Sequence, residues 1–208
     1  LSIRRQRQMC IRDRLNSDLI VLDLESTVPE DQKDQAKKII KECNVNKNQT
    51  YVRINKNSDL EFVTSEKFPG IFLPFTETKK QLIEIDILLK KTEKLKTDII
   101  PILESINGLA NLEEICSFSE RIQIISFGSH DLAKSINLKI SEDEKEILEF
   151  RKNIVNKSKN IKNPIDTSYL NFKDLNGFET SCNLAKKLGF GGKACIHPDQ
   201  VQISNKIF

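Results

Sequence analysis

Residues 99–131 limit the fold more than any other stretch. They read IIPILESINGLANLEEICSFSERIQIISFGSHD. An apolar run from Ile99 to Leu103 ends in Glu104. A short amphipathic segment follows, with Leu109, Leu112, Ile115 and Cys116 at helical spacing. A second apolar run, Ile122 to Phe127, ends in Gly128 and, three residues on, Asp131. The pattern is strand, helix, strand, with a carboxylate just past the end of each strand. Two parallel strands joined by a helix lie side by side and point the same way. Glu104 and Asp131 are therefore expected to emerge as neighbours at one sheet edge. Two carboxylates so placed can share a hard divalent cation such as Mg2+, which takes oxygen ligands and keeps positions open for water and substrate.

The same alternation runs along the chain. Leu19–Leu24, Tyr51–Asn55, Ile71–Pro74, the two runs above, the segment from Pro164 to Asp166, and Gly192–Ile196 read as strands. Helices are expected from the Pro29-Glu30-Asp31 first turn to about Cys43, where the polar stretch from Asn44 to Asn48 breaks the helix, over Thr76–Lys91, over Ser141–Lys159, over Asp174–Leu188, and after His197-Pro198. Apolar runs this continuous suit a parallel sheet buried on both faces. An open doubly wound sheet and a (β/α)8 TIM barrel both fit. Asp23, Glu25, Arg53, Asn55, Glu104, Asp131, Asp166 and His197 all fall at or just past strand C-terminal ends, which in a barrel form one ring around one site. No glycine-rich phosphate loop is present to serve an open sheet's switch point. The expectation is an α/β TIM barrel, incomplete at both ends. Residues 15–208 would form a single catalytic domain lacking its first strand and a carboxyl-terminal lid.

Residues 1–14 stand apart in composition. They hold five of the eight arginines and one acid, a net +4, which leaves −1 for the rest of a chain whose total is +3. This tail resembles a translated sequencing adaptor, and it is read as non-native or disordered and excluded from the fold. The rival reading is a basic arm for nucleic acid. No aromatic residue interleaves the arginines and no basic patch continues into the body, so no nucleic-acid partner is expected. No apolar run approaches the ~18 residues of a membrane span. Cys10, Cys43, Cys116, Cys182 and Cys195 show no metal-ligand spacing, as expected for reduced thiols in a cytoplasmic protein.

Each site residue has a plainer alternative. Glu104 could be a solvated strand-end acid, and Asp131 the cap of the helix that Asp-Leu-Ala-Lys-Ser-Ile begins. Arg53, inside a strand, needs an anion: a bidentate clamp on a substrate carboxylate, or a salt bridge to Asp23 or Glu25. Asp23 and Glu25 share one side of their strand. They would either bond metal-held waters as an outer shell or neutralise Arg53. His197 reads as a capping histidine, and His130 as solvated.

With these residues placed, the chain resembles the citrate lyase β-subunit-like family of CoA-ester lyases, related to the class II pyruvate aldolases. Asp-Leu-Ile-Val-Leu-Asp-Leu-Glu-Ser-Thr-Val-Pro (18–29), Tyr-Val-Arg-Ile-Asn (51–55), Pro-Ile-Leu-Glu-Ser (101–105), Phe-Gly-Ser-His-Asp-Leu-Ala (127–133), Pro-Ile-Asp (164–166) and Gly-Phe-Gly-Gly-Lys-Ala-Cys-Ile-His-Pro-Asp-Gln-Val (189–201) are similar, in order, to that family's blocks. The resemblance implies a Mg2+-dependent barrel of the phosphoenolpyruvate/pyruvate type that usually assembles as a homotrimer, with another homo-oligomer as the alternative. Such enzymes cleave or form the carbon–carbon bond of a 3-hydroxyacyl-CoA such as citryl-, malyl- or citramalyl-CoA. By motif, Glu104 and Asp131 bind Mg2+, and Arg53 and Glu104 meet the keto-acid substrate. An aldolase acting on a hydroxy-keto acid without CoA, or a diverged metabolite-binding barrel, would keep the same residues. Three positions depart from the family pattern: Ser26 replaces an acid, Phe75 stands where lysine is common, and Ser105 replaces threonine. In relatives, a carboxyl-terminal lid carries a catalytic aspartate to a neighbouring subunit.

Overall fold

The computed structural model describes residues 16–43, 45–158 and 164–208. The basic tail at 1–14, Asn44 and Lys159 lie outside the described residues. Seven strands form one sheet: β1 (Ile20–Asp23), β2 (Thr50–Arg53), β3 (Gly70–Leu73), β4 (Asp98–Leu103), β5 (Ser126–Phe127), β6 (Ile165–Asp166) and β7 (Gly192–Lys193). They pair in the order of the chain, and every pair is parallel. A doubly wound sheet reverses its order at a switch point, whereas a sequential parallel order is that of a (β/α) barrel. The sheet is a curled half-barrel. Outside the sheet, Asn205, near the end of the last helix, donates to the Asn16 carbonyl ahead of β1 at 2.5 Å.

The helices are α1 (Lys33–Glu42), α2 (Asp59–Ser65), α3 (Lys79–Thr92), α4 (Ile106–Ala110), α5 (Leu112–Cys116), α6 (Ser129–Ser135), α7 (Leu148–Lys157), α8 (Leu175–Leu188) and α9 (Pro198–Ile207). α3 shows how sequence sets such an element. Thr78 and Gln81 close a capping box at its start, Leu82, Ile85 and Leu89 form its buried stripe, and Lys90 and Lys91 sit at its negative end. α8 begins at Asp174, whose carboxylate accepts from Gly177 N–H at 2.9 Å, and stops at Gly189, where φ is +112°.

The two sheet faces carry different clusters. Val52, Ile71, Ile99 and Leu103 face outward and pack with Leu60, Val63, Leu82, Ile85 and Leu89 of the helices in the main core. Tyr51, Phe72, Ile100 and Ile102, joined by Leu19, Ile124 and Ile165, form the smaller concave layer. Burying each such side chain contributes about 1.5–3 kcal/mol.

Local differences from the sequence reading have physical causes. β5 is two residues long rather than six. Ile99 N–H still donates to the Arg121 carbonyl at 3.0 Å, and Ile165 N–H to the Ile125 carbonyl at 2.8 Å. Pro101 offers β5 no N–H, which leaves the ladder incomplete. Ile122 and Ile125 are buried all the same. The helix expected from Ser141 begins at Leu148, after a 3-10 turn over Lys145–Ile147, because Glu144 adopts a left-handed backbone with φ +53°. The helix starting near Pro29 is first a 3-10 turn, Glu30–Gln32. α2 was not anticipated: its start, Asp59, is buried, and its carboxylate accepts the N–H groups of Asn55 at 2.9 Å and Lys56 at 3.1 Å.

Candidate functional site

Strand alternation aims the charged residues. Val21, Asp23 and Glu25 share one face of β1 and its extension; Tyr51 and Arg53 share that of β2; Ile100, Ile102 and Glu104 share that of β4. Tyr51, Ile100 and Ile102 belong to the concave layer, so Arg53 and Glu104 stand above it at the strands' C-terminal ends. Asp23 and Arg53 are direct register partners.

Arg53 is held in detail. Its Nε donates to Asp23 Oδ1 at 2.7 Å, and Nη2 to Asp23 Oδ2 at 2.5 Å and to Ser26 Oγ at 2.7 Å. Nη1 lies 3.4 Å from a Glu25 carboxylate oxygen. The fork therefore grips Asp23, the salt-bridge alternative, and Nη1 is the edge left for another anion. Asp23 also accepts from Glu25 N–H at 2.9 Å and Thr27 N–H at 3.1 Å. Burial pushes its carboxyl up, but these bonds and the Arg53 charge outweigh burial and hold it at about 2. Asp23 is a permanent anion that orients Arg53, and Glu25 shares in neutralising it.

Glu104 is the opposite case. It is 3% exposed. Among the described residues its one hydrogen bond comes from Phe75 N–H, which donates to Oε2 at 3.1 Å. Burial pushes the carboxyl up to about 7; the Phe75 N–H and Arg53 oppose that rise, and the charges of Asp131 and Glu25 add to it. Gly128 follows β5, donates its N–H to the Leu103 carbonyl at 3.0 Å, and lies directly against this side chain. A Cβ at position 128 would sit 2.3 Å from Glu104 Cγ and 2.7 Å from Oε1. Glycine is what lets β5 and α6 pass so close to Glu104. Asp131, in the first turn of α6, is half-buried and has no hydrogen bond or ion pair among the described residues. It does not cap the helix.

The structure thus brings Asp23, Glu25, Arg53, Glu104 and Asp131 into one electrostatic neighbourhood and leaves three expected members of the ring outside it. Asn55 donates to Glu30 at 3.1 Å. His197 caps α9, accepting from Asp199 N–H at 3.3 Å, and stacks on Phe172 with centroids 5.0 Å apart. Asp166 belongs to a buried ion cluster on the helix side of the sheet. It accepts from Arg151 Nε and Nη2, each at 2.9 Å, and from Lys193 Nζ at 2.7 Å, while Glu144 accepts from Arg151 Nη2 at 2.8 Å. His130 is not simply solvated: its Nε2 lies 3.0 Å from the Ser168 carbonyl oxygen. The sequence reading missed Phe75 N–H and Gly128, whose roles depend on backbone approach. Arg151 was legible, since it interrupts the apolar stripe of α7 between Ile147 and Ile154.

The donor set suits a hard cation. One oxygen of Glu104 and both of Asp131 lack hydrogen-bond partners, and both groups are carboxylates. Among the described residues no group of three or more His, Cys, Asp or Glu gathers as a metal cage. A cation here would have two protein carboxylates, with its other positions left to water and ligand.

A curled parallel sheet with a carboxylate pair and a tethered arginine at the C-terminal ends of its strands defines an α/β protein of the barrel type with a charged mouth. The chain belongs to the HpcH/HpaI aldolase/citrate lyase family, whose profile matches residues 5–198. It is 27% identical over 209 residues to the citrate lyase subunit beta of Leuconostoc mesenteroides subsp. cremoris, covering 92% of this chain and 69% of that protein. It is 28% identical over 221 residues to the mitochondrial citramalyl-CoA lyase of Rattus norvegicus, covering 93% of this chain and 65% of that one. The chain therefore spans about two thirds of the length of these relatives, which are lyases. Among solved structures, CitE from Mycobacterium tuberculosis in complex with magnesium, acetoacetate and coenzyme A superposes with a TM-score of 0.79, at 24% identity, over 92% of this chain and 72% of that one. That likeness concerns the fold.

Proposed function

We propose that this chain carries the site of a Mg2+-dependent carbon–carbon lyase acting on a 3-hydroxyacyl-CoA of the citryl-, malyl- or citramalyl-CoA kind. The observation that carries the reading is the buried Glu104 side chain, one oxygen of which accepts no hydrogen bond from the described residues, beside Asp131 in the first turn of α6, which has no partner among them. Named relatives support it: two are a citrate lyase subunit and a citramalyl-CoA lyase, and the CitE structure was solved with magnesium and coenzyme A. Glu104 and Asp131 would hold Mg2+, which when bound would offset negative charge developing on the carbonyl oxygens of the fragments. Arg53, kept straight by Asp23 and Ser26, would present Nη1 to the carboxylate of the keto-acid portion. Glu104 would give up its proton as the cation binds, because a ligating carboxyl must be ionised. The apolar layer of Phe72, Ile100 and Ile102 beneath would keep water from the floor of the site. Homo-oligomeric assembly and a cytoplasmic setting complete the proposal, the latter consistent with Cys116, Cys182 and Cys195, which form no disulfide among the described residues.

The test is calorimetric titration of the chain with oxalate, a planar dianion that mimics the enolate of pyruvate, with and without Mg2+. Binding that requires Mg2+ and disappears in both Glu104→Ala and Asp131→Ala is expected. Folded protein that binds no oxalate with Mg2+ present would sink the proposal.

A further inference from the structure

A strained turn borders Glu104. Phe75, just past β3, has φ +45°, in the left-handed region that costs a residue with a side chain. The turn is kept there by contacts on every side. Phe75 N–H donates to Glu104 Oε2 at 3.1 Å, and its carbonyl accepts from Gln81 Nε2 at 3.3 Å. The next residue, Thr76, is buried; its N–H donates to the Ile102 carbonyl at 3.3 Å and its hydroxyl to the Leu73 carbonyl at 2.8 Å. Behind it stands Gly108 of α4, where a Cβ would lie 2.6 Å from the Thr76 carbonyl oxygen. Gly108 has no positive φ, so its lack of a side chain matters for this close approach and not for its backbone shape. A simple link between β3 and α3 would need neither the left-handed residue nor the glycine behind it. Both act on the position of a single N–H, the one that holds Glu104.

The consequence lies in which oxygens Glu104 can offer. Oε2 is engaged by the turn. Oε1, on the side of Gly128, has no hydrogen bond. A carboxylate held this way presents one oxygen to a cation. Ca2+ is large, takes about 6–8 oxygens and commonly chelates both oxygens of one carboxylate; Mg2+ is octahedral at about 2.0–2.1 Å and takes one oxygen from each. We infer that the Phe75–Thr76 turn, braced by Gly108, is a positioning element that locks Glu104 into one-oxygen presentation and so makes the site prefer Mg2+ over Ca2+. The inference rests on the reading that Glu104 and Asp131 hold a divalent cation.

The experiment is calorimetric titration of the full chain with Mg2+ alone and with Ca2+ alone, for wild type, Gly108→Ala and Phe75→Gly, with melting temperatures beside them. Wild type should favour Mg2+. Gly108→Ala pushes the turn away from Glu104 and should weaken Mg2+ binding roughly 10- to 100-fold, as loss of an outer-shell partner does, with a smaller change for Ca2+. Phe75→Gly keeps the N–H and relieves the backbone, so it should retain the wild-type preference and melt higher. A Gly108→Ala protein whose Mg2+-to-Ca2+ ratio matches wild type overturns the inference, whether both affinities hold or both fall together with the melting temperature. Wild type with no preference overturns it equally. A second readout needs no metal: the amide resonance of Phe75 should move and exchange faster in Glu104→Ala, which removes the acceptor. If wild type binds neither cation, the proposed function fails, and a Phe75 amide indifferent to that substitution would show separately that the turn does not hold Glu104.

Discussion

Raising the pH should weaken the metal-free protein, and Glu104 should account for much of the loss. Its carboxyl is pushed by burial from 4.5 up to about 7 in the folded chain. Below pH 4.5 it is protonated in both the folded and the unfolded state and costs nothing. Between 4.5 and about 7 the unfolded chain releases a proton that the folded chain retains. Above 7 the folded state must hold a buried anion beside Asp131. The stability is therefore fully present below the unfolded value and is lost as the pH rises through the folded one. At about 1.4 kcal/mol per pH unit the gap corresponds to roughly 3 kcal/mol. Glu104→Gln has nearly the same shape, can accept the same Phe75 N–H, and does not titrate. Urea unfolding followed by circular dichroism, at pH 4.5 and pH 8.5 with EDTA present, should show wild type losing about 3 kcal/mol more than Glu104→Gln over that interval. Titrating groups remote from Glu104 contribute alike to both proteins and cancel. Parallel stability profiles for the two would refute the argument. They would mean that Glu104 is solvated as an ordinary strand-end acid.

Three further outcomes follow from the same contacts. Asp131→Asn removes a charge that raises the Glu104 carboxyl, so a carbon-detected NMR titration should find Glu104 ionising at lower pH in that variant. Gly128→Ala places a methyl 2.3 Å from Glu104 Cγ; overpacking should cost about 1–3 kcal/mol by urea unfolding, and Mg2+-dependent oxalate binding should be lost in protein that remains folded. Asp166→Asn strips the anion from the buried Arg151 and Lys193, and breaking such a cluster should cost about 3–5 kcal/mol, read as a lower urea midpoint, while oxalate binding by the folded fraction stays unchanged.

Much of the fold was readable because apolar runs and helical stripes alternate with little interruption. Strands β1 to β4 and helices α3, α8 and α9 stand where the periodicity puts them. Legibility failed where long-range geometry overrides local pattern. The run Ile122–Phe127 is as apolar as β4, yet a proline on the neighbouring strand leaves only Ser126 and Phe127 in the ladder. Glu144 sits in what reads as a charged helix and leaves it, because its carboxylate is drawn into the interior by Arg151 and Ser181. α2 carries no long apolar stripe to announce it; the polar cluster Asn57-Ser58-Asp59 marks its start because Asp59 collects two backbone N–H groups.

The candidate site divides along the same line. Arg53 and Asp166 are both charged residues at the end of a strand, and the sequence offers no reason to treat them differently. Their faces differ. Arg53 is two residues from Tyr51, which points into the concave layer, so it emerges at the mouth. Asp166 follows Ile165, which also points into that layer, so it turns the other way, toward α7 and α8. One step of strand alternation separates a charge at the mouth from a buried structural one. Arg151 and Lys193 on the helix side then neutralise Asp166, whereas Asp131 at the mouth has no cationic partner among the described residues. A carboxylate left unpaired beside a buried neighbour is unfavourable for the empty protein, because its charge raises the cost of ionising the buried Glu104 carboxyl. The arrangement becomes favourable only when a cation is supplied from outside. That asymmetry between the two faces of one sheet, more than the presence of acidic residues as such, is what supports the proposal that Glu104 and Asp131 receive a cation.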